Sequence, residues 1–105
     1  MLGEFEQLVL MAILRAGEDA YGVPIRRAIL DRAGRDVSLA AVYKTLTRLE
    51  DKGFVVARVG DPTPERGGRR KRYYTVTTAG RRSLRQSVDV LRRMARGLDL
   101  GLESR

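Results

Sequence analysis

Lys44, Thr47 and Arg48 are spaced so that, on a helix, they share neighbouring turns of one face. Ala40 and Ala41 lie one turn ahead of them. A face with small residues in front and cations and a hydroxyl behind can enter a groove closely and touch phosphates or base edges. Farther along, Arg66, Arg69, Arg70, Lys71 and Arg72 crowd into one span beside Gly67 and Gly68. Cations so close repel one another unless an anion offsets them, and the glycines let a backbone approach phosphates. The chemistry in both cases is polyanion binding. Alone, the first group reads more simply as a solvated helix face; the second tips the reading toward nucleic acid.

Composition agrees. The 105 residues carry a net charge of +8, with a pI near 10.8. Strong basicity points to nucleic acid or an acidic membrane surface as partner. The charge is also uneven, since Glu4, Glu6, Glu18 and Asp19 fall early and the cation cluster falls late. The chain has neither cysteine nor histidine. Disulfides, thiol catalysis and thiolate metal sites are therefore excluded, and the commonest general base and metal ligand are missing. No nucleophile–base pair, phosphate loop or paired-carboxylate motif stands out, so the expectation is no enzyme and no cofactor. The opening MLGEFEQLVLMAIL has acids where a secretory signal needs bases, and its apolar run is too short to span a bilayer. A cytoplasmic protein without membrane association is expected.

The elements that must position these side chains follow from periodicity. The Lys44 helix spans Ser38–Lys52, with Ser38 as N-cap, Gly53 just past its end and Leu39, Val42, Leu46 and Leu49 as its buried stripe. Tyr43 sits at the edge of that stripe, either as a half-buried core aromatic or with its hydroxyl reaching a phosphate. A first helix over Gly3–Ala16 is apolar nearly all round: Phe5, Leu8, Val9, Ala12 and Ile13 mark one face, and Leu10, Met11 and Leu14 lie beyond it. One of its sides is expected against a second subunit, the alternative being a central core helix of a monomer. A second helix is expected from an Asp19 N-cap to Ala33, with Pro24 in its first turns and Arg26, Arg27, Asp31 and Arg32 facing water. Gly22 either admits a close neighbour or loosens the first turn; the sequence leaves both open. The short link Gly34–Val37 makes the second and third helices a helix-turn-helix unit.

After Gly53 the period changes to that of strands. Residues 54–59 and 70–77 read as a hairpin around the Pro- and Gly-rich loop 60–68. Thr77 or Thr78 then caps a last helix running to about Arg96. Its Leu84, Val88, Leu91, Met94 and Leu98 are spaced close to a heptad seam. The expected architecture is mainly α (α+β), a winged helix-turn-helix with a two-stranded wing and a C-terminal dimerisation helix. Residues 1–78 form the DNA-binding domain, 79–98 the dimerisation helix and 99–105 a frayed tail. The dimer surface is drawn from Phe5, Leu8, Val9, Leu84, Val88, Leu91, Met94 and Leu98. The DNA surface is drawn from Ser38, Ala40, Ala41, Tyr43, Lys44, Thr47 and Arg48 on the helix, and Arg66, Gly67, Gly68, Arg69, Arg70, Lys71, Arg72 and Tyr73 on the wing.

With these residues in hand, the chain resembles the PadR family of bacterial transcriptional regulators, in its short subfamily, from Leu2 to about Leu98. The resemblance is carried by the opening LGEFEQLVLMAIL, by Ala20-Tyr21-Gly22, by Ser38 with AAVYKTLTRLEDKG, and by GGRRKRYYTVTTAG from Gly67 to Gly80. It implies a homodimer that binds palindromic double-stranded DNA, usually as a repressor, with relief by a small molecule or another signal. It also implies a dimer interface made by the first and last helices. Pro24 departs from the family pattern. No residue points to a particular effector, and a chain with no Trp and two Phe offers few rings to stack on one. A winged helix docking a protein or RNA is the competing reading.

Overall fold

The computed structural model describes residues 2–61 and 70–101. Its helices are α1 (Glu4–Ala16), α2 (Gly22–Ala33), α3 (Leu39–Asp51) and α4 (Thr78–Ala95), with strands β1 (Val55–Val59) and β2 (Arg72–Val76) between α3 and α4. The strands pair antiparallel, Val55 opposite Val76 and Val59 opposite Arg72. The fold is the expected winged helix. α1 is its hub, touching α2, α3, β2 and α4. Val9, Leu10 and Ile13 of α1 meet Ile25 and Ile29 of α2, Val42, Leu46 and Leu49 of α3, and Val55, Tyr74, Val76 and Leu84 in one core. A helix apolar nearly all round is required at such a place, because no side of it except a narrow strip meets water.

Local signals set most boundaries. The Ser38 hydroxyl accepts from the Ala41 amide at 3.0 Å, and Gly53 takes a left-handed φ of 77° after α3. The start of α2 corrects the sequence reading: Asp19 does not cap it. Gly17–Asp19 form a short 3-10 turn, and α2 begins at Gly22 behind Tyr21. The cause is tertiary. Ala20 lies buried and lends its carbonyl to the Tyr74 amide at 2.9 Å, which adds one backbone bond to the free edge of β2. The chain cannot be helical there and still reach the strand. Pro24 falls at the third position of α2, where a missing amide costs little.

The link after α2 is held by Arg26, whose Nε donates to the Val37 carbonyl at 2.6 Å and whose Nη2 pairs with Asp36 at 3.0 Å. The hairpin mouth is held by Thr77. Its amide donates to the Phe54 carbonyl at 3.0 Å, its hydroxyl donates to the Gly53 carbonyl at 2.7 Å, and the same oxygen accepts from the Gly80 amide at 3.0 Å. Gly80 itself has no room for a side chain, since a Cβ there would overlap the Phe54 carbonyl and lie 2.9 Å from Val76 Cγ1. Gly80→Ala is therefore expected to destabilise the fold by about 1–3 kcal/mol, the usual cost of overpacking against backbone. Thermal unfolding followed by circular dichroism reads the loss, and an unchanged midpoint would contradict the packing described.

Candidate nucleic-acid interface

α3 buries Val42, Thr45, Leu46 and Leu49, and this fixes what it shows to solvent. Ala40, Lys44, Thr47 and Asp51 form its exposed outward line. The Thr47 hydroxyl is turned back onto its own helix, donating to the Tyr43 carbonyl at 3.1 Å, so its methyl faces outward. Ala41 is half-buried and Ser38 is exposed at the cap.

The two flanks of this line are fastened differently. On one flank, Tyr43 is 40 % exposed and its ring lies across Gly22 at the start of α2. A Cβ at Gly22 would overlap the ring and hydroxyl, so the glycine is there to admit a close neighbour. Tyr43 is thus a packed aromatic whose hydroxyl end lies against Gly22 while the residue stays partly exposed. Farther along the same flank, Glu50 pairs with Arg72 of β2 at 2.9 Å. Arg72, read from sequence as a phosphate contact, is thus tied to α3 and braces the wing against it.

On the other flank stands Glu6 of α1, with a side chain only 9 % exposed. Its Oε1 accepts from the Gly3 amide at 3.0 Å, while its Oε2 lies 2.8 Å from Lys52 Nζ and 3.4 Å from Arg48 Nε. Burial pushes this carboxyl up, but the Lys52 hydrogen bond, the Gly3 amide and the charges of Lys52 and Arg48 outweigh it. They hold it below the ordinary carboxylate value of 4.5. Neither Glu6, Glu50 nor Arg58 figures among the candidate residues read from sequence. Glu6 had a visible signal: it stands at i, i+4, i+7 with Leu10 and Ile13 on a buried stripe, where a charge needs a partner.

At the base of the wing, four side chains stack. Lys71 Nζ lies 4.5 Å over the Tyr21 ring, Tyr21 meets Tyr73 edge-on at 5.5 Å, and the Arg58 guanidinium lies 4.6 Å over Tyr73. Tyr73 and Lys71 are therefore half-buried in a stack that ties the wing to the start of α2. Arg70 is exposed beyond it. Arg66, Gly67, Gly68 and Arg69 lie outside the described residues.

The expected dimer surface divides in two. Val9, with 0 % exposure, and Leu84, with 7 %, are spent in the chain's own core and are not available to a partner, which corrects their assignment. Phe5, Leu8 and Val88 are partly buried against that core, whereas Leu91 and Met94 on α4 and Leu98, beyond its end at Ala95, stand 55–73 % exposed. Among the described residues no cluster of acidic, Cys or His side chains could hold a metal ion, and no helix is long and apolar enough to cross a membrane.

Comparison with known proteins supports this geometry. The model of the transcriptional regulator PadR-like family matches residues 9–86. An uncharacterised protein of Lysinibacillus sphaericus is 31 % identical over 103 residues, covering 96 % of this chain and 90 % of that one. Among solved structures, a PadR family transcriptional regulator from Eggerthella lenta superposes with a TM-score of 0.70 at 24 % identity, covering 97 % of this chain and 88 % of that one. Bacillus subtilis PadR in complex with operator DNA superposes with a TM-score of 0.68 at 24 % identity, covering 81 % of this chain and 46 % of the other.

The Glu6 contacts make stability depend on pH in a defined direction. The folded pKa lies below the unfolded one, so the contribution is present above about pH 4.5 and is lost as pH falls through the folded value. Near neutrality wild type should exceed Glu6→Gln by about 1–2 kcal/mol, and the difference should vanish in acid. Urea unfolding of both proteins across that range measures it; a difference independent of pH would contradict the assignment.

Proposed function

Because the chain belongs to the PadR-like family of transcriptional regulators, we propose that it is a homodimeric repressor that binds a palindromic double-stranded DNA operator and is released by an effector. The observation that carries the reading is the exposed line Ala40, Lys44, Thr47 and Asp51 on a helix whose opposite side is fully used by the core. Among the described residues, no hydrogen bond or ion pair ties the side chains of Lys44 or Asp51 to another element, and Thr47 bonds only its own helix. Lys44, with Arg48 on the flank, offers cations to the major groove, and the Thr47 methyl suits apolar contact with a thymine methyl. The wing supplies sequence-independent charge through Arg70 and, beyond the described residues, Arg66 and Arg69. The operator complex of the Bacillus subtilis relative supports this use of the fold.

Dimerisation draws support from α4. Leu91 and Met94 continue its apolar seam past the point where the core ends, Leu98 follows just after the helix, and a single chain leaves all three in water. Paired across a two-fold axis, such helices would set two α3 helices on one face of the duplex. The half-site centres would then lie about 34 Å, or a multiple of it, apart.

Two measurements test the reading. Duplexes selected from a random library and titrated at several salt concentrations should show Lys44→Ala losing affinity for the selected site while its binding to random DNA changes little. Arg70→Ala should weaken both alike and lower the salt slope by about 0.9 for the lost phosphate contact. Equal losses for the two variants would sink the division between helix and wing, and no preference for any duplex would favour a protein or RNA partner. Separately, sedimentation of Leu91→Asp should give the monomer mass; an intact dimer would place the interface elsewhere.

A further inference from the structure

The Glu6 carboxylate does more than join α1 to α3, because one of its two cations belongs to the candidate reading face. Lys52 alone, at 2.8 Å, would satisfy a structural ion pair. Arg48 is instead a mostly exposed side chain, 53 % open, whose inner nitrogen is drawn to the same Oε2. The contact is an ion pair at 3.4 Å, not a hydrogen bond, and its nearest nitrogen is Nε on the side-on edge of the guanidinium, which leaves the end-on edge, the two Nη nitrogens, for another partner. An unrestrained arginine on a DNA-facing helix reaches many phosphates and adds affinity for any duplex. One held at Nε presents a single edge with less freedom to lose, and a planar edge suits the two acceptors of guanine.

We infer that Glu6 is a positioning residue for DNA specificity: it holds Arg48 at Nε so that the guanidinium offers only its end-on edge to the groove, lowering affinity for random DNA and sharpening preference for the operator. The inference rests on the DNA-binding reading above. Glu6 itself is too buried to touch DNA, so any effect on specificity passes through the cations it holds, and the Arg48→Ala background separates Arg48 from Lys52. The arrangement gives α1, the hub of the core, a direct hand in what α3 reads.

The experiment is a double-mutant cycle on wild type, Glu6→Gln, Arg48→Ala and the double variant, each titrated with a selected duplex and a random one across salt. Glu6→Gln should bind the random duplex about three- to tenfold more tightly at low salt, with a slope steeper by about 0.9, and so narrow the preference for the selected duplex. In the Arg48→Ala background the same change should leave the preference unaltered, any gain from the released Lys52 falling on both duplexes alike. A merely structural Glu6 would change the preference equally in both backgrounds, and that result, or an unchanged preference in Glu6→Gln, overturns the inference. Arg48→Lys tests it without disturbing α1, because lysine keeps the charge and lacks the planar edge. It should keep affinity for random DNA and lose preference, and retained preference would overturn the inference. If wild type prefers no duplex, the DNA-binding reading itself fails, a result separate from any of these.

Discussion

Three elements of this small protein converge on the Thr77 side chain and backbone. The carbonyls of Gly53 and Phe54 end the recognition helix and open the hairpin; the amide of Gly80 begins α4. Because one residue serves all three, α3, the wing and α4 cannot be set independently. The close seat of Gly80 on the Phe54 carbonyl completes the constraint, since a larger residue would force α4 off the hairpin mouth. The hydrophobic core supplies most of the driving force, but it is non-directional. The Thr77 junction supplies direction.

Around that junction, the face meant for a partner is framed by contacts that look outward only in part. Tyr43 lies on Gly22, Arg72 is drawn to Glu50, and Arg48 and Lys52 converge on Glu6. Each contact fixes α3 to a different neighbour: α2, the wing and α1. A helix so braced on three sides has little freedom to rock, and a surface that reads base edges needs that rigidity. Ion pairs of this exposure contribute little stability one by one, so their value lies in placement.

Much of this was legible in the sequence where the cause is local. Ser38 and Thr77 are hydroxyl caps beside periodic apolar runs, and the structure places α3 and α4 directly behind them. The hairpin was legible because β-branched and aromatic residues flank a Pro- and Gly-rich loop. What failed depended on distant partners. Asp19 is a reasonable cap by type, yet the Ala20 carbonyl is claimed by Tyr74 more than fifty residues away. Val9 and Leu84 lie on the right faces, but periodicity says that a face is covered and not by what; their own core covers both. Gly22 was undecidable because its reason is the ring of Tyr43 on another helix. Glu6 looked like one acid among several until its burial showed that it must have partners.

The length of α4 beyond its last core contact has a mechanical meaning. Its eighteen residues make a rod of about 27 Å, anchored at one end by Thr77 and Gly80 and leaving its neighbours near Val88. Packed as far as Val88, such a rod pivots there, and its free arm is the roughly 10 Å from Asp89 to Ala95. A swing of about 10° there displaces the far end by about 2 Å. The core contacts of Leu84, Ser87 and Val88 thus shield the hairpin mouth from a force on the free end of α4.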